Sequence, residues 1–210
     1  MVTDKNINRQ SNMDKFDAIK KHVARHISLT DDEQEYFVSL LRIIKVRRKQ
    51  SIVQPEFNCR YRSYVYNGAM GAYLLDKNAN EHIIALAIED WWITDYSSYI
   101  FQQPSTLFVE ALEYTTLIQI DYESEQLLKE AIPKFEKFFR IVTERAFAFL
   151  QKRILSMLSL TAEERYEDFM NMYPQIAKRV PQYVLASYLG MSTEYLSKLR
   201  NNRVQKKKLN

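Results

Sequence analysis

The sequence predicts an α+β fold: a helical lead, an antiparallel β-roll (a double-stranded β-helix), a long helix, and a compact helical hairpin at the end. Three observations predict it. Between positions 43 and 120, short β-rich runs are separated by turn signals such as Asn67-Gly68, the pattern of many short antiparallel strands. From Ser124 the apolar period lengthens from two to three or four residues, which marks helix. The segment 182–201, QYVLASYLGMSTEYLSKLRN, has the small, glycine, cap and apolar positions of two short helices folded across one tight turn.

A polar lead, MVTDKNINRQSNMDK, precedes helices expected over 16–26 and 31–41. The second is capped by Thr30 and carries Tyr36, Phe37, Leu40 and Leu41 as its apolar stripe. His22 and His26 stand i, i+4 on the first helix. With no third ligand nearby, they are expected on a solvated face rather than around a metal. Strands are expected over 43–49, 51–53, 61–66, 69–75, 82–88, 106–112 and 115–120. Asn67-Gly68 should make a two-residue hairpin, 76–80 a second turn, and the last two strands a pair. Pro133 suits the first turn of a helix. Beyond it, Phe135, Phe138, Phe139, Val142, Ala146, Phe149 and Leu150, then Ile154, Met157 and Leu158, continue one apolar stripe. That is about 25 residues, roughly 38 Å of helix at 1.5 Å per residue. Such a stripe can lie across the chain's own roll, but apolar surface beyond what one small domain covers often pairs with its copy, and pairing with a second chain is the expectation favoured. A further helix opens at Thr161 and closes near Tyr173-Pro174. The expected division is a roll with its lead helices over 1–123, a long helix region over 124–160, and a helix-turn-helix over 161–210.

In the hairpin, Ala186 lets the helices approach and Gly190 suits a turn with positive φ. Leu185, Leu189, Met191, Leu196 and Leu199 supply apolar contacts, and Ser192 is the expected N-cap. The outward face of the second helix carries Thr193, Glu194, Ser197, Lys198 and Asn201, with Arg200 beside it. Glu accepts from the cytosine amino group, Lys donates to guanine or phosphate, and Asn pairs with adenine, so double-stranded DNA is the expected partner. The blander reading is a helical hairpin with a solvated polar face. Charge favours DNA: residues 191–210 hold six basic side chains against one acid, Glu194, while the whole chain carries only +4.

Composition limits the rest. At 210 residues and 46% hydrophobic content the chain can bury a substantial core. A single cysteine, Cys59, excludes an intramolecular disulfide and leaves too few thiols for a Cys-rich metal site. Three glycines provide no phosphate loop, and no Ser, His and Asp setting suggests a nucleophile, so neither a catalytic site nor a metal is expected. No apolar run reaches membrane-spanning length, so a cytoplasmic protein without membrane contact is expected.

The order of parts, with LSLTAEERYEDFMNMYPQIAKRVPQYVLASYLGMSTEYLSKLR, resembles the Crp/Fnr transcription regulators, and closely their Bacteroidetes-type members. The likeness covers nearly the whole chain. It is most specific in LTAEERY and from Arg179 to Arg200, and rests on pattern in YVYNGAMGAYLLD and EDWWITDYSSYIFQQPSTLFVEALE. It implies a homodimeric DNA-binding regulator acting on a near-palindromic site, with a cyclic-nucleotide-binding-like roll and a helical or winged helix-turn-helix. RNA polymerase is a candidate partner. Thr193, Glu194 and Lys198 would be the principal base readers, with Ser197 close by.

Members that bind cyclic AMP hold its phosphate with a short helix bearing Gly-Glu and a following Arg-Ser or Arg-Thr pair. Here the first region reads Ile88-Glu89-Asp90-Trp91-Trp92, and the arginine position falls at about Ser105-Thr106. No arginine occurs between Arg62 and Arg140, so a cyclic phosphate would meet Glu89, Asp90 and Asp95 without a cation. Cyclic AMP is therefore not an expected cofactor, and the effector stays open. Glu89, Trp91, Trp92, Tyr96, Tyr99, Ser105 and Thr106 are the candidate lining of some other pocket, against the reading that the aromatics are core. The alternative function is a small-molecule sensor or interaction protein with only weak, nonspecific nucleic-acid contact.

Overall fold

The computed structural model describes residues 15–209, with side chains through Arg203, so the polar lead up to position 14 and the lysine side chains at 206–208 lie outside the described residues. Helix α1 (15–24) is followed by α2 (Asp31–Ser39), whose Thr30 hydroxyl accepts from the Glu33 amide while the Glu33 carboxylate accepts from the Thr30 amide. This reciprocal cap contributes about 1 kcal/mol, and Asp31 and Asp32 add charge suited to the positive end of the helix dipole.

Eight strands follow among the described residues: β1 (Arg42–Val46), β2 (Ser51–Val53), β3 (Tyr61–Asn67), β4 (Met70–Leu75), β5 (Glu81–Ala87), β6 (Trp92–Ile93), β7 (Phe108–Ala111) and β8 (Thr115–Asp121). The short α3 (Tyr96–Phe101) lies between β6 and β7. They form two four-stranded sheets, in the orders β1-β8-β3-β6 and β2-β7-β4-β5, so the chain alternates between sheets as a jelly roll does.

Two local expectations change as a result. Asn67-Gly68 is not a hairpin turn. β3 pairs with β8, with Tyr64 opposite Ile118, whereas β4 joins the other sheet. Gly68, at φ +114°, carries the chain across, and an added Cβ would run into Thr115, whose hydroxyl accepts from the Ala69 amide at 3.2 Å. Likewise β7 and β8, adjacent in sequence, lie in different sheets. Period-two alternation reports that a segment is a strand but not which strand it pairs with. Only 76–80 makes the turn its sequence suggests, with the Asp76 carboxylate accepting from the amides of Asn78 and Asn80 between β4 and β5.

The chain divides into two compact units, Met1–Ala72 with Leu86–Arg145, and Tyr73–Ala85 with Ala146–Asn210. The first contains most of the roll, α4 (Tyr122–Ala131) and the first half of α5 (Lys134–Ser159). Its core joins Ile19, Val23 and Phe37 to Tyr64, Ile118, Ile120, Leu128, Phe135, Phe138 and Phe139. Phe37 and Phe135 stack with centroids 4.8 Å apart. Each such ring stabilises the unit by roughly 2 to 3 kcal/mol through burial. Phe135, Phe138 and Phe139, expected to face a second copy, are thus spent on the chain's own core, and the half-buried Val142 packs against it. His22 is corrected too: it is buried between Tyr64, Trp92 and Phe138, and accepts from the Trp92 indole N–H at 3.3 Å. Beneath α4, the buried Arg62 pairs with Glu125 at 2.9 Å, and Glu125 also receives Lys129 at 2.7 Å and the Tyr99 hydroxyl at 2.9 Å.

The second unit packs α6 (Ala162–Met172), α7 (Pro174–Arg179), α8 (Gln182–Leu189) and α9 (Thr193–Leu209) with the later half of α5 and the 73–85 segment. After position 146 the described residues form no strand, so the hairpin has no wing. Arg153 on α5 donates to the carbonyls of Ile83 at 2.7 Å and Tyr188 at 3.0 Å, with its guanidinium 4.2 Å from the centre of the Tyr188 ring. Ser187 donates to the Glu81 carbonyl at 2.7 Å and accepts from the Ile83 amide at 3.0 Å, which ties α8 to the strand segment of the same unit.

Candidate nucleic-acid interface

α8 and α9 meet because their apolar residues fall on facing sides. Val184, Leu185, Ala186, Tyr188 and Leu189 of α8 and Leu196 and Leu199 of α9 are all buried, with Tyr166 and Phe169 of α6 beside them. Ala186 is 1% exposed, where a larger side chain would push the helices apart. The turn is a Schellman closure. Gly190 takes φ +66°, its amide bonds to the Ser187 carbonyl at 3.1 Å, and the Met191 amide bonds to the Ala186 carbonyl at 3.0 Å. Ser192 starts the next helix, its hydroxyl accepting from the Tyr195 amide at 3.2 Å.

Three side chains that sequence reasoning did not single out hold this corner. Arg165 Nε donates to the Leu189 carbonyl at 2.9 Å and its Nη1 to the Leu160 carbonyl at 2.7 Å, so one guanidinium satisfies the orphaned end of α8. Arg153 does the same for Tyr188. Gln182 Nε2 donates to the Ser197 hydroxyl, fastening the start of α8 to the second turn of α9. The available signal was an arginine or glutamine at the margin of an apolar stripe, which does not distinguish a carbonyl clamp from a solvated charge.

The predicted reading face divides by environment. Glu194, Lys198, Arg200 and Asn201 are exposed, while Thr193 and Ser197 are half-buried. The Glu194 carboxyl is held below its ordinary range by its own backbone amide and by the Ser192 hydroxyl, so it is a carboxylate and an acceptor at neutral pH. Arg203, counted in the basic end, turns the other way: it pairs with Glu167 at 3.4 Å and bonds to Asn171 at 3.2 Å.

Several of the candidate pocket residues have partners within the protein. Trp92 packs against Tyr64, Phe138 and Phe139, the Tyr99 hydroxyl donates to Glu125, and the Glu89 carboxylate accepts from the Gly68 amide at 2.7 Å. Trp91 and Tyr96 are half-buried, and Thr106 is exposed. Ser105 is buried and donates at 2.6 Å to Asp95, whose carboxylate also accepts the Ser98 amide at the start of α3. Trp92 and Tyr99 thus pack within the protein, and the buried Asp95 carboxylate caps the N-terminal end of α3.

No group of three or more His, Cys, Asp or Glu among the described residues could hold a metal, and no helix among them is long and apolar enough to cross a membrane. No family model matches the chain, and no curated protein matches it. Solved structures do. FixK2 from Bradyrhizobium japonicum superposes with a TM-score of 0.70 at 16% identity, over 79% of this chain and 85% of its own. CLP, the c-di-GMP responsive global regulator of Xanthomonas campestris, gives 0.67 at 12% identity, over 84% and 93%. A protein from Eubacterium rectale assigned to the Crp/Fnr family of transcriptional regulators gives 0.66 at 15%, over 84% and 85%. The fold is therefore that of the Crp/Fnr regulators: a cyclic-nucleotide-binding-type roll with a helical C-terminal module.

Proposed function

We propose that the protein is a DNA-binding transcription regulator that acts as a homodimer on a near-palindromic site without cyclic AMP. The observation that carries the reading is the α8–Gly190–α9 corner, which fixes a helix with Glu194, Lys198 and Asn201 exposed on one side. In this reading residues 161–210 bind DNA, Thr193, Glu194, Ser197, Lys198, Arg200 and Asn201 meet the major groove and its phosphates, and 1–123 form the sensor-like part. Likeness to solved transcription regulators supports it.

Dimer formation is assigned to the later half of α5. Phe147, Leu150, Ile154 and Leu158 recur every three or four residues and are 66%, 41%, 51% and 80% exposed, an apolar row that water does not favour. Independence from cyclic AMP rests on charge. The buried Asp95 carboxylate accepts from Ser105, at the position where members that bind cyclic AMP carry the phosphate-pairing arginine, so a phosphate there would meet a negative charge. RNA polymerase remains the candidate protein partner.

The test is selection of bound duplexes from a random DNA pool by the purified chain with no nucleotide added. The expected result is an inverted repeat with half-sites about one helical turn apart, unchanged by cyclic AMP. Recovery of unenriched DNA, or of a motif only when cyclic AMP is present, overturns the reading.

A further inference from the structure

The net charge of the sequence before Met191 conceals a basic cluster: Arg42, Lys45, Arg47, Arg48 and Lys49 stand in one short stretch without an acid among them. The structure ends β1 at Val46 and folds the rest into a tight turn, with the Gln50 amide bonded to the Arg47 carbonyl at 3.0 Å and Lys49 at φ +69°. The turn therefore projects its side chains outward. Lys45, Arg47, Arg48, Lys49, Gln50 and Tyr114, the last from the β7–β8 turn, line an open depression of about 700 Å³.

These cations are not equally committed. Arg42 is occupied by the Gln119 side chain and the Tyr61 ring, and Lys49 pairs with the buried Glu110 at 3.1 Å. Lys45, Arg47 and Arg48 are exposed and form no side-chain ion pair among the described residues, and the other nearby carboxylate, Glu113, lies in the β7–β8 turn beside Tyr114. The depression thus has surplus positive charge on a tight turn, with two guanidinium forks suited to phosphate oxygens.

We propose that this turn is a second phosphate-contacting surface, which takes the sugar–phosphate backbone of duplex DNA outside the base-read half-site. The inference rests on the DNA-binding reading above. Two features select a nucleic-acid backbone. The lining has no apolar anchor apart from the exposed Tyr114, whereas a protein interface would need a desolvated apolar centre. Within the reading module, Arg203 is already paired, so among described side chains α9 offers phosphate only Lys198 and Arg200. Among the described side chains, Lys45, Arg47 and Arg48 add to these a second group of exposed cations, and phosphate neutralisation needs charge and donors only.

The test compares Arg47→Gln with Arg48→Gln, combined in the full chain, against the parent protein on two duplexes. One is confined to the selected half-sites, and the other extends about two helical turns beyond each end. The salt dependence of affinity is the readout. Two lost phosphate contacts per protomer, four in the dimer, lower the slope of log K against log salt by about 3.6 on the long duplex and leave the short one unchanged. Arg47→Lys with Arg48→Lys restores the slope, and thermal melting verifies that the exposed substitutions leave the fold intact. An unchanged slope on the long duplex overturns the proposal, as does loss of an acidic protein partner with DNA binding intact. Failure of the parent protein to bind either duplex defeats the DNA-binding reading itself, which is a distinguishable result.

Discussion

Arg165 Nε donates to the carbonyl of Leu189 at 2.9 Å, so a residue of α6 closes the C-terminal end of the first helix of the α8–α9 corner. The same guanidinium reaches the Leu160 carbonyl at 2.7 Å, just before α6 begins. Truncating it leaves both carbonyls without a partner in a half-buried place, which costs on the order of 2 kcal/mol. Arg165→Ala is expected to lower the unfolding midpoint of the C-terminal unit and to weaken binding to every duplex by a similar factor. Sequence preference should not change, because Arg165 positions the reading helix and reads nothing itself. A selection experiment on the variant that returned a different motif would contradict this.

Gly190 carries two constraints at once. Its φ of +66° disfavours any L side chain by about 1 kcal/mol, and an added methyl would meet the Met157 side chain. Gly190→Ala should therefore destabilise the C-terminal unit by roughly 1 to 2 kcal/mol in urea unfolding, mostly through the backbone, since the Met157 methyl ends a flexible, partly exposed side chain that can swing aside. Pairing it with Met157→Ala relieves the collision but not the backbone strain, so the double variant should recover only part of the loss relative to Met157→Ala alone. Full recovery would mean the turn does not need a left-handed residue.

The corner was legible in the sequence because its determinants are local: glycine at the turn, serine at the cap, small and apolar residues at helical spacing all act within a few positions of one another. The roll was legible as many short strands, but not in its pairing. Gly68 illustrates why: its dipeptide carries a hairpin signal, yet its conformation is dictated by Thr115, far along the chain. His22 and Phe135 mark the same limit. Spacing placed one on a solvated face and the other in a dimer stripe, and both are buried by residues brought together only by the fold. The basic turn at 47–49 was hidden because acids elsewhere in the chain cancel it in a count, whereas in space only Lys49 of the three pairs with a carboxylate among the described residues, that of Glu110.

Burial pushes the His22 imidazole down from 6.5 to about 4, with Arg25, His26 and Arg145 adding to the effect and Asp90 opposing it. The ring also accepts the Trp92 N–H, a role its neutral form fills. Between those two values the unfolded chain binds a proton that the folded chain does not, so stability rises with pH across that window. The contribution is full above about 6.5 and is lost as pH falls towards 4. Replacing the ring by His22→Gln should flatten this part of the stability profile by about 1 to 3 kcal/mol, measured by urea unfolding from pH 4 to 7. A variant profile parallel to the parent would mean that other groups set the slope.

The two halves of α5 should respond oppositely to substitution. Phe138 is fully buried in the core of the first unit, and Phe138→Ala should cost about 3 to 5 kcal/mol of stability. Leu150 and Ile154 are 41% and 51% exposed, so Leu150→Glu with Ile154→Glu should cost the single chain little. If these two residues meet their copies in a second chain, the added glutamates bring like charges into an apolar seam and should separate the dimer. Sedimentation equilibrium reads this directly: the parent should sediment as a dimer at micromolar concentration, and the double variant as a monomer that still unfolds cooperatively, its melting midpoint lowered only by the lost association. Affinity for a full inverted repeat should then fall to that for one half-site, since the two reading helices no longer arrive on one body. A parent protein that is monomeric on and off DNA, or a double variant that stays dimeric, would move the contact away from this row.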